Sequence, residues 1–327
     1  MKDNMGKLAL LLLLCLLLSL AACGGQTPDA GQAQSGESQT EEPQNDAGET
    51  LTIEDAAGDT LTFEACPVRV ASLSGSFGEI WLNAGGTLVA TTKDAVTERD
   101  LDLGEDVQIV GTIKDPDLEA ILAVEPDFVI LSADTSSHAE IAVTLRQAGI
   151  PCGLFKVEYF EDYLDLLGQF CRLTGRDDLY AEKGLAVQQQ IEDALAQAPD
   201  LSGSTVLLIR AYSTGFKAKD SENMTGIMLS DFGLENILDK YDSLLEEISI
   251  EEVIQSDPDY IFVTTMGSDV QAALDNLDKA LTGNPAWNGL TAVKEGRYYI
   301  LPQDLFHYKP NARWGESYAY LLDLLAE

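Results

Sequence analysis

A single pattern occurs twice in this chain, and it restricts the available folds more than any other feature. Asp117-Leu-Glu-Ala-Ile-Leu-Ala-Val-Glu-Pro-Asp-Phe-Val-Ile-Leu131 matches Ser249-Ile-Glu-Glu-Val-Ile-Gln-Ser-Asp-Pro-Asp-Tyr-Ile-Phe-Val263 in residue type at every position, without a gap. Each copy opens on an N-cap residue, Asp117 or Ser249. Each then runs two helical turns, stops at an acidic residue plus proline, and enters an apolar strand at Asp127 or Asp259. A repeated helix–break–strand unit cannot bury its apolar face alone, so the repeat implies two related α/β lobes. In the second copy Ser249 and Glu252 form a capping box. Glu252 thereby gains a structural role, while Glu119 and Glu251, at matching positions, are left without one.

The rest of the chain fits that scheme. A hairpin is expected from LTIED and TLTF around a turn at Ala57-Gly58-Asp59. Apolar strand runs then alternate with helices: VRVASL, TLVATT, DFVILS and PCGLFKV in the first half, STVLLIR, DYIFVTT and RYYILP in the second. Strands that read as continuous apolar runs belong to parallel sheets covered on both faces. Between Tyr159 and Ala198 no strand signal exists. A first helix ends at Gly175 and a second runs from Asp177 to Ala196, long enough at about 30 Å to cross a small lobe. The expected fold is α/β, with two Rossmann-like lobes of mainly parallel sheet joined by one long helix and a ligand cleft between them. The divisions are 51–158 for the first lobe, 159–198 for the helical connector and 199–327 for the second lobe.

Residues 1–22 read as a secretory signal peptide: Lys2 and Lys7 precede an apolar run over 8–20 and then Ala21 and Ala22. That run is too short for a comfortable membrane span. Cys23 stands where a lipoprotein cysteine would be acylated. Residues 23–50 hold no large aliphatic, aromatic or basic residue and read as a flexible acidic tether. A net charge of −35 excludes nucleic acid and an anionic membrane surface as partners. Cys66, Cys152 and Cys171 have no zinc-type spacing; one disulfide and one free thiol, or three free thiols, are both open.

The doubled motif resembles the helix-bridged class of periplasmic binding proteins, which handle ferric siderophores, haem and cobalamin. Pro67-Val-Arg-Val-Ala-Ser-Leu73 with Glu79 looks like that family's first strand and helix. Phe232-Gly-Leu-Glu-Asn-Ile237 and Asn284-Pro-Ala-Trp-Asn-Gly-Leu-Thr-Ala-Val-Lys-Glu-Gly-Arg-Tyr-Tyr299 resemble later segments, so the likeness spans about residues 51–327. It implies an exported binding protein, held by a lipid on Cys23, that serves an ABC permease and its ATPase as a monomer. It also implies that Glu119 and Glu251 dock onto basic pockets of that permease. Acids in a first helical turn also favour the helix dipole, which explains the residue type but not the matched pairing.

In such folds ligands sit outside the C-terminal ends of the strands. The candidate binding residues are therefore Ser74, Ser76, Phe77, Lys93, Thr135 and Ser136 in the first lobe. In the second they are Arg210, Tyr212, Lys217, Lys219, His307, Tyr308, Lys309, Arg313 and Trp314. Basic groups interleaved with aromatics in a very acidic chain point to an anionic, ring-bearing ligand. An iron chelate fits, with haem second and a cobamide third. No cofactor is expected beyond that ligand. Only His138 and His307 exist, too few for a bare zinc or manganese site. With haem, His307 would be an axial ligand opposite Met224 or Tyr212. Motifs for serine hydrolases, zinc proteases, phosphate loops and dithiol redox chemistry are missing from the sequence. The rival enzymatic reading, glycan processing, has one nominable acid pair, Asp134 with Asp304. A purely adhesive surface protein would gain nothing from the basic and aromatic segments.

Overall fold

The computed structural model describes residues 50–240, 250–282 and 284–326. The apolar leader, Cys23, the tether up to Glu49 and the expected Ser249 cap lie outside the described residues.

The first sheet contains β3 (Val70–Ser72), β4 (Leu88–Thr91), β5 (Gln108–Ile109), β6 (Phe128–Ser132) and β7 (Cys152–Phe155), preceded by a hairpin of β1 (Leu51–Glu54) and β2 (Thr60–Phe63). Its order is β5-β4-β3-β6-β7 and every pairing is parallel. All five residues of β6 are buried, as expected for a strand covered on both faces. The hairpin is fastened by the buried Asp55. One carboxylate oxygen accepts from the Ala57 and Asp59 amides at 2.9 and 3.0 Å, and the other from Leu154 of β7 at 3.1 Å.

The second sheet holds β8 (Thr205–Tyr212), β9 (Gly215–Lys219), β10 (Glu235–Asn236), β11 (Tyr260–Met266) and β12 (Tyr298–Ile300). The order β10-β8-β11-β12 is parallel, and β9 lies antiparallel on β8. The segment Ala211–Lys219, expected as a loop after the strand, is instead the end of β8, a tight turn and β9. Its alternation places Ala218 in the core while Lys217 and Lys219 face the other way.

The repeat has a common geometry. Helices Leu118–Ala123 and Ile250–Ser256 lead into β6 and β11, each beside the first strand of its sheet. Both copies turn through a left-handed acidic residue before proline, Glu125 at φ 44° and Asp257 at φ 40°. Both then use the following aspartate as a staple. Asp127 accepts from the Val68 and Arg69 amides at 2.8 and 2.9 Å, at the start of β3. Asp259 accepts from the amide and hydroxyl of Thr205 at 2.8 and 3.0 Å, at the start of β8. Asp117 caps its helix through the Ala120 amide, as expected.

Helix Phe160–Thr174 ends at Gly175 in the left-handed region, φ 68°. The long connecting helix runs from Asp177 to Ala196 with one wide π turn at Ala181–Leu185. The Tyr163 hydroxyl donates to the Lys183 carbonyl in that turn at 2.9 Å, and Gly184 packs against Leu164 and Leu167. The helix read from the sequence over Asp177 to Ala196 thus carries a bulge at Ala181–Leu185, where the tyrosine hydroxyl bonds. Helix Ala186–Ala196 packs along Trp314–Leu325. The approach is close: a Cβ on Gly315 would meet the Gln190 side chain at 2.1 Å. A continuous core follows, from Trp81 and Phe128 through Phe170 and Ile191 to Phe262, Trp314 and Leu321. Trp81 and Phe155 each pack edge-on against both Phe128 and Phe170. Cys66, Cys152 and Cys171 are free thiols. Among the described residues no helix is long and apolar enough to cross a membrane.

Candidate functional site

Strand order reverses between β3 and β6 in the first sheet and between β8 and β11 in the second, which is where an open α/β sheet offers a crevice at its strand ends. The loop after β3 is held tightly. The Gly75 amide donates to Asp94 Oδ2 at 2.7 Å, and Thr92 Oγ1 donates to Asp94 Oδ1 at 2.6 Å. A Cβ on Gly75 would lie 2.6 Å from the Ala95 amide, so only glycine fits. Ser74 and Ser76 are buried at the start of helix Gly75–Asn83, and Ser76 Oγ has no partner among the described residues. Phe77 is a core residue at 1% exposure, reached only on its ring face by Lys309. Lys93 is exposed at the start of the short helix after β4. Thr135 caps helix Ser136–Gln147 and is half-buried, while Ser136 is exposed.

The second lobe contributes cations. Arg210 and Lys217 are cross-strand partners on β8 and β9, so their side chains share a sheet face; Tyr212 and Lys219, two residues on along their strands, share it too. Leu207, Ile209, Ala211 and Ala218 occupy the opposite face and its own core. Arg210 is half-buried, its buried Nε has no partner, and no ion pair to it exists among the described residues. Burial lowers its pKa. Burial, then the neighbouring Arg210 charge, lowers that of Lys219. A hollow of about 320 Å³ opens beside them at Lys219, Asp220, Glu222 and Asn223. Arg210, Lys217 and Lys219 together outweigh the one acid felt by Lys219, Asp220, and leave a locally positive face suited to an anion.

His307, Tyr308 and Lys309 follow the short helix Gln303–Phe306 after β12. His307 Nδ1 is buried without a partner among the described residues. Burial and the Arg210 charge lower the His307 pKa to about 4, so the imidazole is neutral at ordinary pH. Lys309 Nζ lies 3.9 Å from Asp134 and 5.5 Å above the Phe77 ring, both in the first lobe. Burial lowers its pKa against the pull of Asp134.

Other candidates have structural work. Arg313 pairs with Asp304 at 2.8 Å and Glu316 at 2.9 Å. The two acids nominated for glycan cleavage are each ion-paired, Asp304 with Arg313 and Asp134 with Lys309. Trp314 is 2% exposed and packs against Phe160, in the core. Met224 opens helix Met224–Asp231 and packs on the main core. His138 is a core histidine: Nδ1 accepts from the Ser132 amide at 2.9 Å and Nε2 bonds the Ile113 carbonyl at 2.8 Å. Among the described residues no three His, Cys, Asp or Glu side chains are grouped to hold a metal ion. A larger cavity, about 580 Å³, lies between the β1–β2 hairpin, the end of β7 and helix Phe160–Thr174; four acids, Glu54, Asp55, Asp162 and Asp165, line it with two bases, Lys156 and Arg172, so acids predominate there. Glu119 and Glu251 are both exposed in the first turn of their repeated helices. Sequence reasoning missed Asp94, Arg99 and Asn311. None carries a motif, and Asn311, fully buried at φ 52°, becomes visible only in three dimensions.

Comparison with known proteins gives a consistent picture. The model of a family described as periplasmic binding protein matches residues 70–305. The Fe(3+)-citrate-binding protein YfmC of Bacillus subtilis (strain 168) is 26% identical over 301 residues, 91% of this chain and 89% of that protein. The Fe(3+) dicitrate-binding periplasmic protein FecB of Escherichia coli (strain K12) is 26% identical over 251 residues, 75% of this chain and 79% of that protein. The crystal structure of the petrobactin-binding protein YclQ of Bacillus subtilis superposes with a TM-score of 0.67 at 18% identity, covering 85% of this chain and 97% of that one.

Proposed function

We propose that this chain, which belongs to the periplasmic binding protein family, captures an anionic ferric chelate outside the cell and hands it to a membrane permease. Members of this family are the substrate-binding proteins of ABC importers, working with a permease and an ATPase, and are not enzymes. The glycan-processing alternative is therefore set aside.

The observation that carries the ligand reading is the patch of Arg210, Lys217 and Lys219 on one face of β8 and β9, with Arg210 half-buried and its buried Nε without a partner among the described residues. A buried cation is costly to maintain without a counter-charge, and a ligand carboxylate or catecholate oxygen would supply one. Lys309 and the neutral His307 stand on the neighbouring strap, and the hydroxyls of Ser74, Ser76 and Thr135 offer neutral hydrogen bonds from the first lobe. The ferric-citrate names of two relatives support the same class. In this reading Cys23 carries the lipid, the protein acts as a monomer, and Glu119 and Glu251 dock on the permease.

Titration of purified residues 51–327, followed by tryptophan fluorescence, tests the ligand class. The panel holds ferric citrate, a ferric catecholate, a ferric hydroxamate, haem, cobalamin and free zinc. Although Trp314 is buried, a coloured chelate quenches it by energy transfer. Saturable quenching by one ferric chelate is expected. Binding of cobalamin or free zinc alone would overturn the reading, and binding of haem alone would move the assignment to a tetrapyrrole held through His307.

A further inference from the structure

The segment Tyr308–Arg313 belongs by sequence to the second lobe but is held largely by the first. Both Nη atoms of Arg99 donate to the Lys309 carbonyl, at 3.1 and 3.0 Å. Arg99 is also ion-paired with Glu79, and both side chains are largely buried. Asn311 Nδ2 donates to Glu79 Oε2 at 2.8 Å and to the Ser76 carbonyl at 3.1 Å. Those bonds join residues 210 to 235 positions apart in the chain. Toward its own lobe the strap is tied at its two ends, by the Thr225 hydroxyl on the Phe306 carbonyl at 2.7 Å and by Arg313 on Asp304.

We infer that Arg99 and Glu79 are positioning residues for the ligand site, fastening this strap to the first lobe and thereby setting where Lys309 and His307 stand in the cleft. A buried Arg–Glu pair is not by itself a good source of stability, because desolvation offsets the attraction. The pair here has another use. The arginine fork satisfies one carbonyl with two donors, a geometry that lysine cannot copy. Glu79 in turn accepts from both Arg99 and Asn311, so one carboxylate holds the strap at two points. The left-handed backbone of Asn311 is tolerated because its side chain is tied in this way. The bonds that tie the strap to the first lobe therefore also place Lys309 over Phe77. This inference rests on reading the strand-end cleft as the ligand site.

Arg99→Lys tests it, since it keeps the charge beside Glu79 and removes the fork. Amide hydrogen exchange of the unliganded protein needs no ligand. The peptide spanning 307–313 should exchange about tenfold faster, with the β8–β11 core unchanged. An unchanged strap, or acceleration throughout the lobe, would overturn the inference. Titration with ferric citrate then reads the coupling. Arg99→Lys should weaken binding roughly tenfold, and Lys309→Met should cost much less in that background than in the wild type. Fully additive losses would contradict positioning. If the unsubstituted protein fails to bind ferric citrate, the ligand reading falls, and the exchange result alone decides the strap.

Discussion

The two lobes share a scaffold and differ in the chemistry at their strand ends. Each places a short helix, a left-handed acid, a proline and a stapling aspartate before a buried strand beside its first strand. At the edge this scaffold creates, the first lobe presents serine and threonine hydroxyls with Asp94 and Asp134. The second presents Arg210, Lys217 and Lys219. In the proposed reading the repeat sets where a ligand sits and the residues after the strands set its class, the second lobe selecting charge and the first supplying neutral bonds.

The comparison can be broken in order of expected effect. The largest concerns what the lobes share. Glu119→Arg combined with Glu251→Arg should reduce cellular uptake of iron-55 ferric citrate to background while leaving binding by the purified protein unchanged. Loss of binding would show that these acids serve the fold or the cleft instead. Next comes what the lobes do not share. Arg210→Met should weaken ferric citrate by about 30-fold or more, as for a desolvated charge contact, whereas Thr135→Val should cost less than about threefold. Equal losses would erase the contrast. The shared staples should behave alike in urea unfolding: Asp127→Ala and Asp259→Ala should each lose about 1.5–3 kcal/mol, the usual cost of a hydrogen bond to a charged group. A large difference would mean that the two copies are not equivalent supports.

The smallest effect is on pH. His307 is held neutral down to about pH 4 in the folded chain, against about 6.5 unfolded. Between those values the unfolded chain binds a proton that the folded one does not. Its contribution is therefore complete above about pH 6.5 and is lost as pH falls toward 4, about 1–2 kcal/mol for a partly screened group. His307→Gln should flatten that stretch of the stability–pH curve. An unchanged slope would mean that the imidazole is solvated and does not belong to the second lobe's charged patch.

Much of the scaffold was legible in the sequence because it rests on local signals. The apolar runs of β6 and β11, the Asp117 cap, Gly175 and the acid–proline breaks all act within a few residues. The expected bridging helix is also there, apart from a π turn whose Lys183 carbonyl accepts from Tyr163 on a different helix. The site was less legible. Lys217 and Lys219 read as a loop because the turn into β9 lacks a strong hairpin signal, yet the strand is what aligns them with Arg210. Trp314 and Arg313 looked like cleft residues from position alone. Packing against Phe160 and pairing with Asp304 and Glu316 claim them for the core and the surface. Arg99 and Asn311 carry no sequence signal, since the bonds by which they hold the strap, Arg99 to the Lys309 carbonyl and Asn311 to Ser76 and Glu79, span more than 200 positions.

Crystals grown with ferric citrate, measured at the iron absorption edge, test the central claim most directly. The anomalous map should place iron between the strand ends, with citrate carboxylates on Arg210 and the β9 lysines. Iron in the acid-lined cavity beside the β1–β2 hairpin, or bound in the cleft with Arg210 untouched, would contradict it.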